Sequence, residues 1–322
     1  MTSVTVVIPA YDEGDAFAST LVSIADCFAL RRSEYSFKYL IVDDGSRDET
    51  HAAAVRFARW RPEVRVLRHE RNLGLGAALR TAIREIDTQF AVVLDADLSY
   101  SPATAMELIE ALEREHADIA LASPYMHGGA VRNVSWARRV LSREANRLLS
   151  MATGGRYATI TCMVRAYRVE ALRRLKFRSN GMEAVPEMLL WGLRNRLRVV
   201  ELPATLEWSH ERRASGGRLR VSSVTPRIAA TVLMACHHRP ALWLALPGLF
   251  PGLLPLVVGV LLAFHLNSKS LAIGTTATIV VQYASLALFS GQLAAYFGRK
   301  FYHSHQRNGV RAHGYDAPGR TA

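Results

Sequence analysis

Cysteine is scarce in this chain: the 322 residues include Cys27, Cys162 and Cys236, and no two of them form a CxxC pair. Such wide spacing argues against a disulfide framework, so we interpret the three residues as reduced core or interface thiols. The first residues, MTSVTVVIPAYDEG, also lack the basic start and the long apolar run of a signal peptide. We therefore predict that the soluble part of the protein lies in the cytosol.

Acidic residues are missing from a long C-terminal region, since no Asp or Glu occurs between Glu211 and Asp316. The region contains two apolar stretches, 241–266 and 271–297, each long enough to cross a bilayer as a helix. Arginines and a lysine lie on both sides of these stretches, as the positive-inside rule requires of a membrane hairpin with both chain ends in the cytoplasm. The alternative, two buried core helices, would leave the basic flanks unexplained.

The overall composition fits a soluble domain joined to a few membrane helices. Half of the residues are hydrophobic, and the mean hydropathy is +0.06. The formal net charge of +12 predicts a polyanionic partner, which is a nucleic acid, a phosphorylated substrate or an anionic lipid. Nucleic acid is disfavoured, because the basic residues surround the apolar stretches and few aromatic residues interleave with them. Residues 219–238 are amphipathic and predict a helix lying on the membrane surface.

Strand and helix patterns alternate over roughly the first 125 residues. Apolar runs predict five strands, at Ser3–Pro9, Phe37–Asp44, Glu63–His69, Phe90–Asp95 and Ala117–Ser123. Helical spacing predicts the segments between them and, further on, helices over 135–151, 169–175 and 182–195, before a strand over 197–203. Strands that are apolar on both faces and alternate with helices indicate a mostly parallel α/β sheet. Ligands of such sheets bind at the carboxyl ends of the strands.

Two carboxylates close together end the fourth strand, in the stretch FAVVLDADLSYSP. Asp95 and Asp97 would repel one another there unless one took up a proton or a divalent cation lay between them. Mg²⁺ and Mn²⁺ prefer hard oxygen ligands and commonly bind one or two carboxylates plus substrate phosphates. The pair therefore predicts a metal site that holds a diphosphate. The alternative is a solvated turn in which Asp97 or Ser99 caps the helix that begins near Pro102.

Three more segments accompany the carboxylate pair in a fixed order: VVIPAYDEG and IVDDGSRDET before NLGLGAALRTAI. With this set, residues 3–220 resemble the family 2 glycosyltransferases, and among them the dolichyl- and polyprenyl-phosphate sugar synthases. The resemblance implies a GT-A fold and inverting, metal-dependent transfer from a UDP- or GDP-sugar to a polyprenyl phosphate. The membrane hairpin is similar to the C-terminal anchor of bacterial members.

The resemblance also implies roles for individual residues. Pro9, Tyr11 and Glu13 would lie against the donor nucleoside, with Val42 and Asp44 at its base. Asp95, Ala96 and Asp97 would form the DxD element, with Ser99 beside it, and Mg²⁺ or Mn²⁺ would bind the two aspartates. The helix WARRVLSREAN resembles an acceptor-phosphate helix, which makes Arg138 and Ser142 candidate phosphate ligands. Glu187 would lie near the sugar, and Arg213 would hold phosphates.

Departures from the family pattern bear on the acceptor. Pro124 stands where the related enzymes have an arginine in SRYxxGG, and Arg132 is a candidate to replace that arginine. Leu219 falls at the lysine of the family's RxxGxSK segment. A hydroxyl-directed glycosyltransferase and a scaffold that binds a nucleotide-sugar without turnover stay open. The QxxRW element of processive synthases is missing. For arginines on other predicted helices, such as Arg80, we predict a solvated position.

These inferences divide the chain into four parts. We expect a GT-A catalytic domain over 1–217, an amphipathic juxtamembrane helix over 218–239, two transmembrane helices over 240–298 and a basic cytoplasmic tail over 299–322. The protein would then be a multi-pass protein of the inner cell membrane, with its catalytic domain in the cytoplasm. Its partners would be the nucleotide-sugar, the lipid acceptor and the membrane, and a homo-oligomer is left open.

Overall fold

The computed structural model describes residues 1–153 and 155–208 of the chain. The strands of the large sheet follow the apolar runs of the sequence. They are β1 (Thr2–Ala10), β2 (Tyr35–Asp43), β3 (Val64–Arg68), β4 (Phe90–Val93), β5 (Ile119–Ser123), β7 (Arg165–Arg168) and β8 (Val199–Pro203). A smaller sheet pairs β6 (Ala130–Arg132) with β9 (Thr205–Glu207).

The helices lie between these strands in sequence. They are α1 (Phe17–Ala29), α2 (Thr50–Ala58), α3 (Leu75–Glu85), α4 (Pro102–Arg114), α5 (Trp136–Ala152), α6 (Val169–Arg174) and α7 (Ala184–Arg194). Local signals fix some of their ends: the hydroxyl of Ser101 accepts a hydrogen bond from the Ala103 N–H, and Pro102 takes the first helical position of α4. The predicted helices match α1 to α7 to within a few residues.

The large sheet has the order β3-β2-β1-β4-β7-β5-β8. β3, β2, β1 and β4 are parallel to one another, and β8 is parallel to β5, whereas β7, which lies between β4 and β5, is antiparallel to both. The prediction of a mostly parallel α/β sheet is therefore confirmed.

Both faces of the sheet are buried. Along β1, Val6 and Ile8 belong to a core cluster that includes residues of α1, α2 and α4, whereas Val7 belongs to a cluster with residues of α3, α6 and α7. This alternation follows from the two-residue period of a strand. Helices on both faces explain why these strands are apolar without interruption.

The chain reverses its winding direction next to β1, which pairs with β2 on one side and with β4 on the other. The crevice outside the carboxyl ends of two such strands is where α/β sheets bind ligands. Asp43 and Asp44 end or follow β2, and Asp95 and Asp97 follow β4. The four carboxylates thus converge on one edge of the sheet, as the sequence predicted.

Three strands were not predicted: β6, β7 and β9. The most consequential is β7, because it lies between β4 and β5 near the middle of the large sheet. Among the described residues no helix has both the length and the hydropathy of a membrane span. The predicted interfacial helix and membrane hairpin lie outside the described residues, and so does Arg213.

Candidate active site

A cavity of about 550 Å³ opens at the carboxyl ends of β1, β2 and β4. Nine of the residues expected to bind the metal or a substrate contribute to its wall. They are Pro9, Tyr11, Glu13, Asp44, Asp95, Ala96, Asp97, Ser99 and Ser142. One cavity therefore collects residues from four segments that lie far apart in the sequence.

The two aspartates of the DxD element lie on a tight turn directly after β4. Leu98, the next residue, has φ +51°, a left-handed conformation, and its N–H lies 3.3 Å from the Asp95 carbonyl oxygen. The Asp97 Oδ1 accepts a 2.9 Å hydrogen bond from the Ser99 N–H. A left-handed non-glycine residue costs about 1–3 kcal/mol, so the surrounding structure must enforce this turn. The turn brings both carboxylates to the wall of one cavity.

The carboxylate pair has the chemistry of a Mg²⁺ or Mn²⁺ site, because both side chains offer hard oxygen atoms at the cavity wall. Within residues 1–153 and 155–208 no group of three or more His, Cys, Asp or Glu side chains is arranged to hold a metal ion. An ion bound here by the described residues would complete its coordination with other ligands, as Mg²⁺ does with water and substrate phosphates.

On the β1 and β2 side, Pro9, Tyr11, Glu13 and Asp44 line the cavity. Tyr11 is 38% exposed, so its ring is accessible to a ligand. Val42, by contrast, is fully buried and packs into the core beneath the sheet edge. The structure therefore brings four of the five expected nucleoside-side residues to the cavity and places Val42 behind them.

Asp44 shapes the cavity through the loop that precedes α3. Its Oδ1 accepts a 3.0 Å hydrogen bond from the Leu73 N–H, and its Oδ2 accepts one of 2.7 Å from the Gly74 N–H. The same carboxylate lies 2.6 Å from His69 Nδ1. Gly74 has φ +95°, and a Cβ there would lie 2.4 Å from the Asn180 carbonyl oxygen. The NLGLG segment is thus a docked loop held by Asp44.

The opposite wall of the cavity includes α5 and Pro124. Ser142 lines the cavity, whereas Arg132 and Arg138 do not. The guanidinium carbon of Arg138 lies 4.9 Å from the centroid of the Trp208 ring, and Trp208 is a wall residue. Arg132 is an exposed residue of β6. Of the three residues expected to bind the acceptor phosphate, Ser142 lines the cavity and Arg138 stacks on a wall residue, whereas Arg132 lies outside the wall.

Asn146 is a wall residue that the sequence analysis missed. Although it is 1% exposed, its Oδ1 accepts hydrogen bonds from the N–H groups of Ile160 and Thr161, at 2.7 and 3.0 Å. Its Nδ2 donates to the Ser142 carbonyl oxygen at 2.9 Å. The side chain therefore joins α5 to the loop at 159–161. The spacing in the sequence could have indicated it, because Asn146 follows Ser142 by four residues and so lies on the same face of the helix.

Glu187 lies away from the cavity wall. Its two carboxylate oxygens each accept a 3.0 Å hydrogen bond from a backbone N–H, those of Arg178 and Ser179. At the start of α7 it is Glu183, four residues earlier, that lines the cavity, and the sequence analysis did not single it out. Arg80, predicted to be solvated, is half-buried, and its Nη1 donates a 2.8 Å hydrogen bond to the Ser179 carbonyl oxygen.

Tyr100 and Cys162 are two buried residues that both line the cavity, and the Cys162 thiol donates to the Val164 carbonyl oxygen at 3.5 Å. Tyr100 and Cys162 are 3% and 6% exposed. Burial raises the pKa of the Cys162 thiol to about 12, and burial also raises the pKa of the Tyr100 phenol. Both groups are therefore neutral at physiological pH, and neither adds charge beside Asp95.

The family pattern described as glycosyl transferase family 2 matches residues 5–176, more than half of the chain. The matched segment contains most of β1, all of β2 to β4, the DxD turn and helix α5. The chain belongs to this family. Its mixed α/β architecture with a mostly parallel sheet is the GT-A fold of family 2 glycosyltransferases.

Two relatives are each similar to about half of this chain. Polyprenol monophosphomannose synthase of Mycolicibacterium smegmatis is 35% identical over 173 residues, which cover 52% of this chain and 65% of the relative. Undecaprenyl-phosphate 4-deoxy-4-formamido-L-arabinose transferase of Edwardsiella ictaluri is 33% identical over 178 residues, 53% of this chain and 51% of the relative. The matches thus span between about half and two thirds of the relatives' own lengths.

A solved structure supports the fold independently. Glucosyl-3-phosphoglycerate synthase from Mycobacterium tuberculosis, crystallised with Mn²⁺, UDP and phosphoglyceric acid, superimposes with a TM-score of 0.54. The similarity covers 73% of this chain and 78% of that one, at 19% sequence identity. At this level of identity the two proteins share their architecture.

Proposed function

We propose that this protein transfers a sugar from a UDP- or GDP-sugar to a polyprenyl phosphate at the cytoplasmic face of a membrane. The observation that carries the proposal is the meeting of Asp95 and Asp97 with Pro9, Tyr11 and Asp44 around one cavity at the winding reversal of the sheet. Family membership supports the nucleotide-sugar donor. The names of the two relatives, both of which specify a polyprenyl lipid, support the acceptor.

Asp95 and Asp97 would hold a Mg²⁺ or Mn²⁺ ion together with the diphosphate of the donor. When bound, such an ion supplies positive charge that stabilises the leaving nucleoside diphosphate. Pro9, Tyr11 and Asp44 then bind and orient the nucleoside. Asp44 does so in part indirectly, because its carboxylate fixes the backbone of the loop at 72–74.

A phosphate acceptor suits the side chains of this cavity. A lipid phosphate monoester has a second pKa of about 6, so it is mostly dianionic at neutral pH and needs no general base. One of its oxygens bonds to the anomeric carbon as the bond to the diphosphate breaks, and this single displacement inverts the anomeric centre. Ser142 and Arg138 would position the acceptor phosphate from the α5 side, since arginine matches phosphate geometry.

The proposal extends to the organisation of the chain. The catalytic domain would span 1–217, followed by the interfacial helix at 218–239, the membrane hairpin at 240–298 and the tail at 299–322. Arg213, at the end of the catalytic domain, would contribute a further charge to the phosphates. This arrangement is supported by the distribution of charge and hydropathy in the sequence.

The test is sugar transfer by the purified full-length protein. A panel of radiolabelled UDP- and GDP-sugars is offered with undecaprenyl or decaprenyl phosphate, with Mg²⁺ or Mn²⁺ and with an EDTA control. We expect one donor to give a labelled lipid in a reaction that EDTA stops. If a donor binds and no lipid is labelled under any condition, the proposed transfer is rejected in favour of a nucleotide-sugar-binding scaffold.

Pro124 favours a second candidate function, transfer to a hydroxyl group. It lines the cavity where the related enzymes carry an arginine, so the wall has one fewer cation for a phosphate. A neutral hydroxyl acceptor needs a general base, and Glu183 is a carboxylate in the same wall. In the radiolabel assay, label that appears in a glycolipid or glycan while the polyprenyl phosphate stays unlabelled would favour this candidate.

A further inference from the structure

We infer that Glu183 binds hydroxyl groups of the donor sugar and so helps to determine which sugar is transferred. The inference rests on the proposed function, because it assigns one part of the donor to one part of the cavity wall. Glu183 immediately precedes α7 and lines the cavity together with Gly181 and Met182.

The segment that carries Glu183 is fixed from the α7 side. The carboxylate of Glu187, one helical turn further on, accepts the backbone N–H groups of Arg178 and Ser179. Two backbone donors on one carboxylate set both the position and the direction of the chain at this point. Glu187 is thus a positioning residue for the segment that leads to Glu183.

The same segment is also fixed from the α3 side. Arg80 donates to the Ser179 carbonyl oxygen and to the Asn180 side chain, and the Gly76 N–H donates a 2.6 Å hydrogen bond to the Asn180 carbonyl oxygen. A Cβ on Gly76 would lie 2.2 Å from the Ser179 carbonyl oxygen, so only glycine allows this approach. The loop over 178–181 is therefore held between two helices rather than left to move in solvent.

The carboxylate of Glu183 is itself oriented. Its Oε1 accepts a 3.1 Å hydrogen bond from the Gly181 N–H, and a Cβ on Gly181 would lie 2.6 Å from its Oε2. The side chain therefore folds back over a glycine that leaves room for it. An ionised carboxylate offers about four lone-pair sites, so Glu183 has the capacity to accept further hydrogen bonds from a ligand.

The charge and the hydrogen-bonding capacity of the Glu183 carboxylate indicate which part of the donor or of the acceptor it can bind. It accepts hydrogen bonds and carries negative charge, so it repels both the donor diphosphate and a lipid phosphate. The sugar hydroxyls are neutral donors that suit it. Among the parts of the two substrates, the Glu183 carboxylate is therefore suited to bind the hydroxyl groups of the donor sugar.

Calorimetric titration of the full-length protein in detergent tests this assignment, with Mn²⁺ present throughout. UDP-glucose and GDP-mannose are compared with UDP and GDP for the wild type, Glu183→Ala and Glu183→Gln. We expect Glu183→Ala to weaken binding of the recognised nucleotide-sugar by on the order of tenfold to a hundredfold, the usual range for a hydrogen bond to a charged group. Binding of the matching nucleoside diphosphate should stay within about twofold.

Glu170→Ala is the matched control, because Glu170 is an exposed acid in the first turn of α6 and lies outside this cavity. Equal weakening of the nucleotide-sugar and the diphosphate, or no weakening of either, would overturn the role of Glu183. A fall in transfer rate with unchanged binding of the nucleotide-sugar would also overturn it, in favour of a general base. If the wild type binds neither nucleotide-sugar, the titration is repeated with the other UDP- and GDP-sugars of the donor panel, and a wild type that binds no member of the panel would reject the proposed function itself.

Discussion

The carboxylate of Asp44 accepts a hydrogen bond of 2.7 Å from the backbone N–H of Gly74, thirty residues further along the chain. This bond ties the carboxyl end of β2 to the loop before α3. We expect Asp44→Ala to lower the free energy of unfolding by about 2–4 kcal/mol, because it leaves two backbone N–H groups without their acceptor. Urea unfolding of the purified protein measures the change.

Asp87→Ala is the control for that experiment. Asp87 forms an ion pair with Lys38 at 2.6 Å, but both side chains are more than half exposed. Such a pair contributes less than about 1 kcal/mol. If Asp44→Ala destabilised the protein no more than Asp87→Ala does, the holding role of Asp44 would be wrong.

The Asp97→Ala variant tests whether the Asp97 carboxylate is needed for sugar transfer and not for folding. We expect Asp97→Ala to keep the melting temperature of the wild type within a few degrees, and to reduce metal-dependent sugar transfer by at least about a hundredfold, as loss of one strong electrostatic contact does. Circular dichroism melting and the radiolabel assay measure the two effects. Unimpaired transfer by this variant would exclude a metal-binding role for Asp97.

Arg138 offers a test of the acceptor side of the cavity. Arg138→Ala should raise the KM for the polyprenyl phosphate by roughly tenfold or more, because one charged contact to the acceptor phosphate is lost. Binding of the nucleotide-sugar should change little. Arg139→Ala is the control, since the neighbouring arginine is exposed. Equal loss of donor and acceptor affinity in Arg138→Ala would mean that α5 does not serve the acceptor.

Asn146 provides a test of how the wall is held together. Asn146→Ala removes the acceptor of two backbone N–H groups in a buried site, so we expect a loss of about 2–4 kcal/mol in the free energy of unfolding. Asn146→Asp keeps the acceptor oxygens and should restore part of that loss. An Asn146→Ala variant as stable as the wild type would show that the loop at 159–161 has other sufficient supports.

Alkaline pH should destabilise the folded chain through its buried weak acids. The pKa of Cys162 rises from 9.0 to about 12 on folding, and burial raises the pKa of Tyr39 from 10.0 to about 12. Between pH 9 and 12 the unfolded chain loses these protons first. Stability is therefore retained below pH 9 and falls above it, by up to about 1.4 kcal/mol per pH unit for each group.

Chemical unfolding of the wild type and of Cys162→Ala at several pH values checks this effect. We expect the decline between pH 9 and 12 to be less steep in the variant, because it has one buried acid fewer. Identical slopes for the two proteins would mean that the Cys162 thiol is ionised as easily in the folded chain as in the unfolded one.

Long apolar runs made most of the sheet predictable. β1 and β2 lie where the sequence is rich in β-branched and aromatic residues, and the DxD turn follows the end of another apolar run, at β4. β7 could not be found in this way, because half of its four residues are arginines. Arg165 is nonetheless fully buried, and its guanidinium donates to the carbonyl oxygens of Val185 and Ile160 at 2.7 and 2.5 Å.

The candidate site was predictable where its residues follow strands and less so elsewhere. Asp95 and Asp97 could be placed because the carboxyl ends of parallel strands share one edge. Glu183 and Glu187 could not be distinguished, since both lie at the start of one helix and the outcome depends on the fold of 178–181. Arg80 shows the same limit, because its partners lie a hundred residues away in the sequence.

The antiparallel strand β7 has a consequence for how this protein can change. Because β5 and β7 are hydrogen-bonded neighbours that run in opposite directions, the chain leaves the sheet after Ser123 and returns at Arg165 along the same edge. Much of the cavity wall opposite Pro9 and Tyr11 comes from the single segment between these two strands: Pro124, Tyr125, Ser142, Asn146, Thr159, Thr161, Cys162 and Met163. The acceptor side of the proposed site is thus encoded by one contiguous segment, which can change in sequence while the strands that precede the aspartates stay as they are.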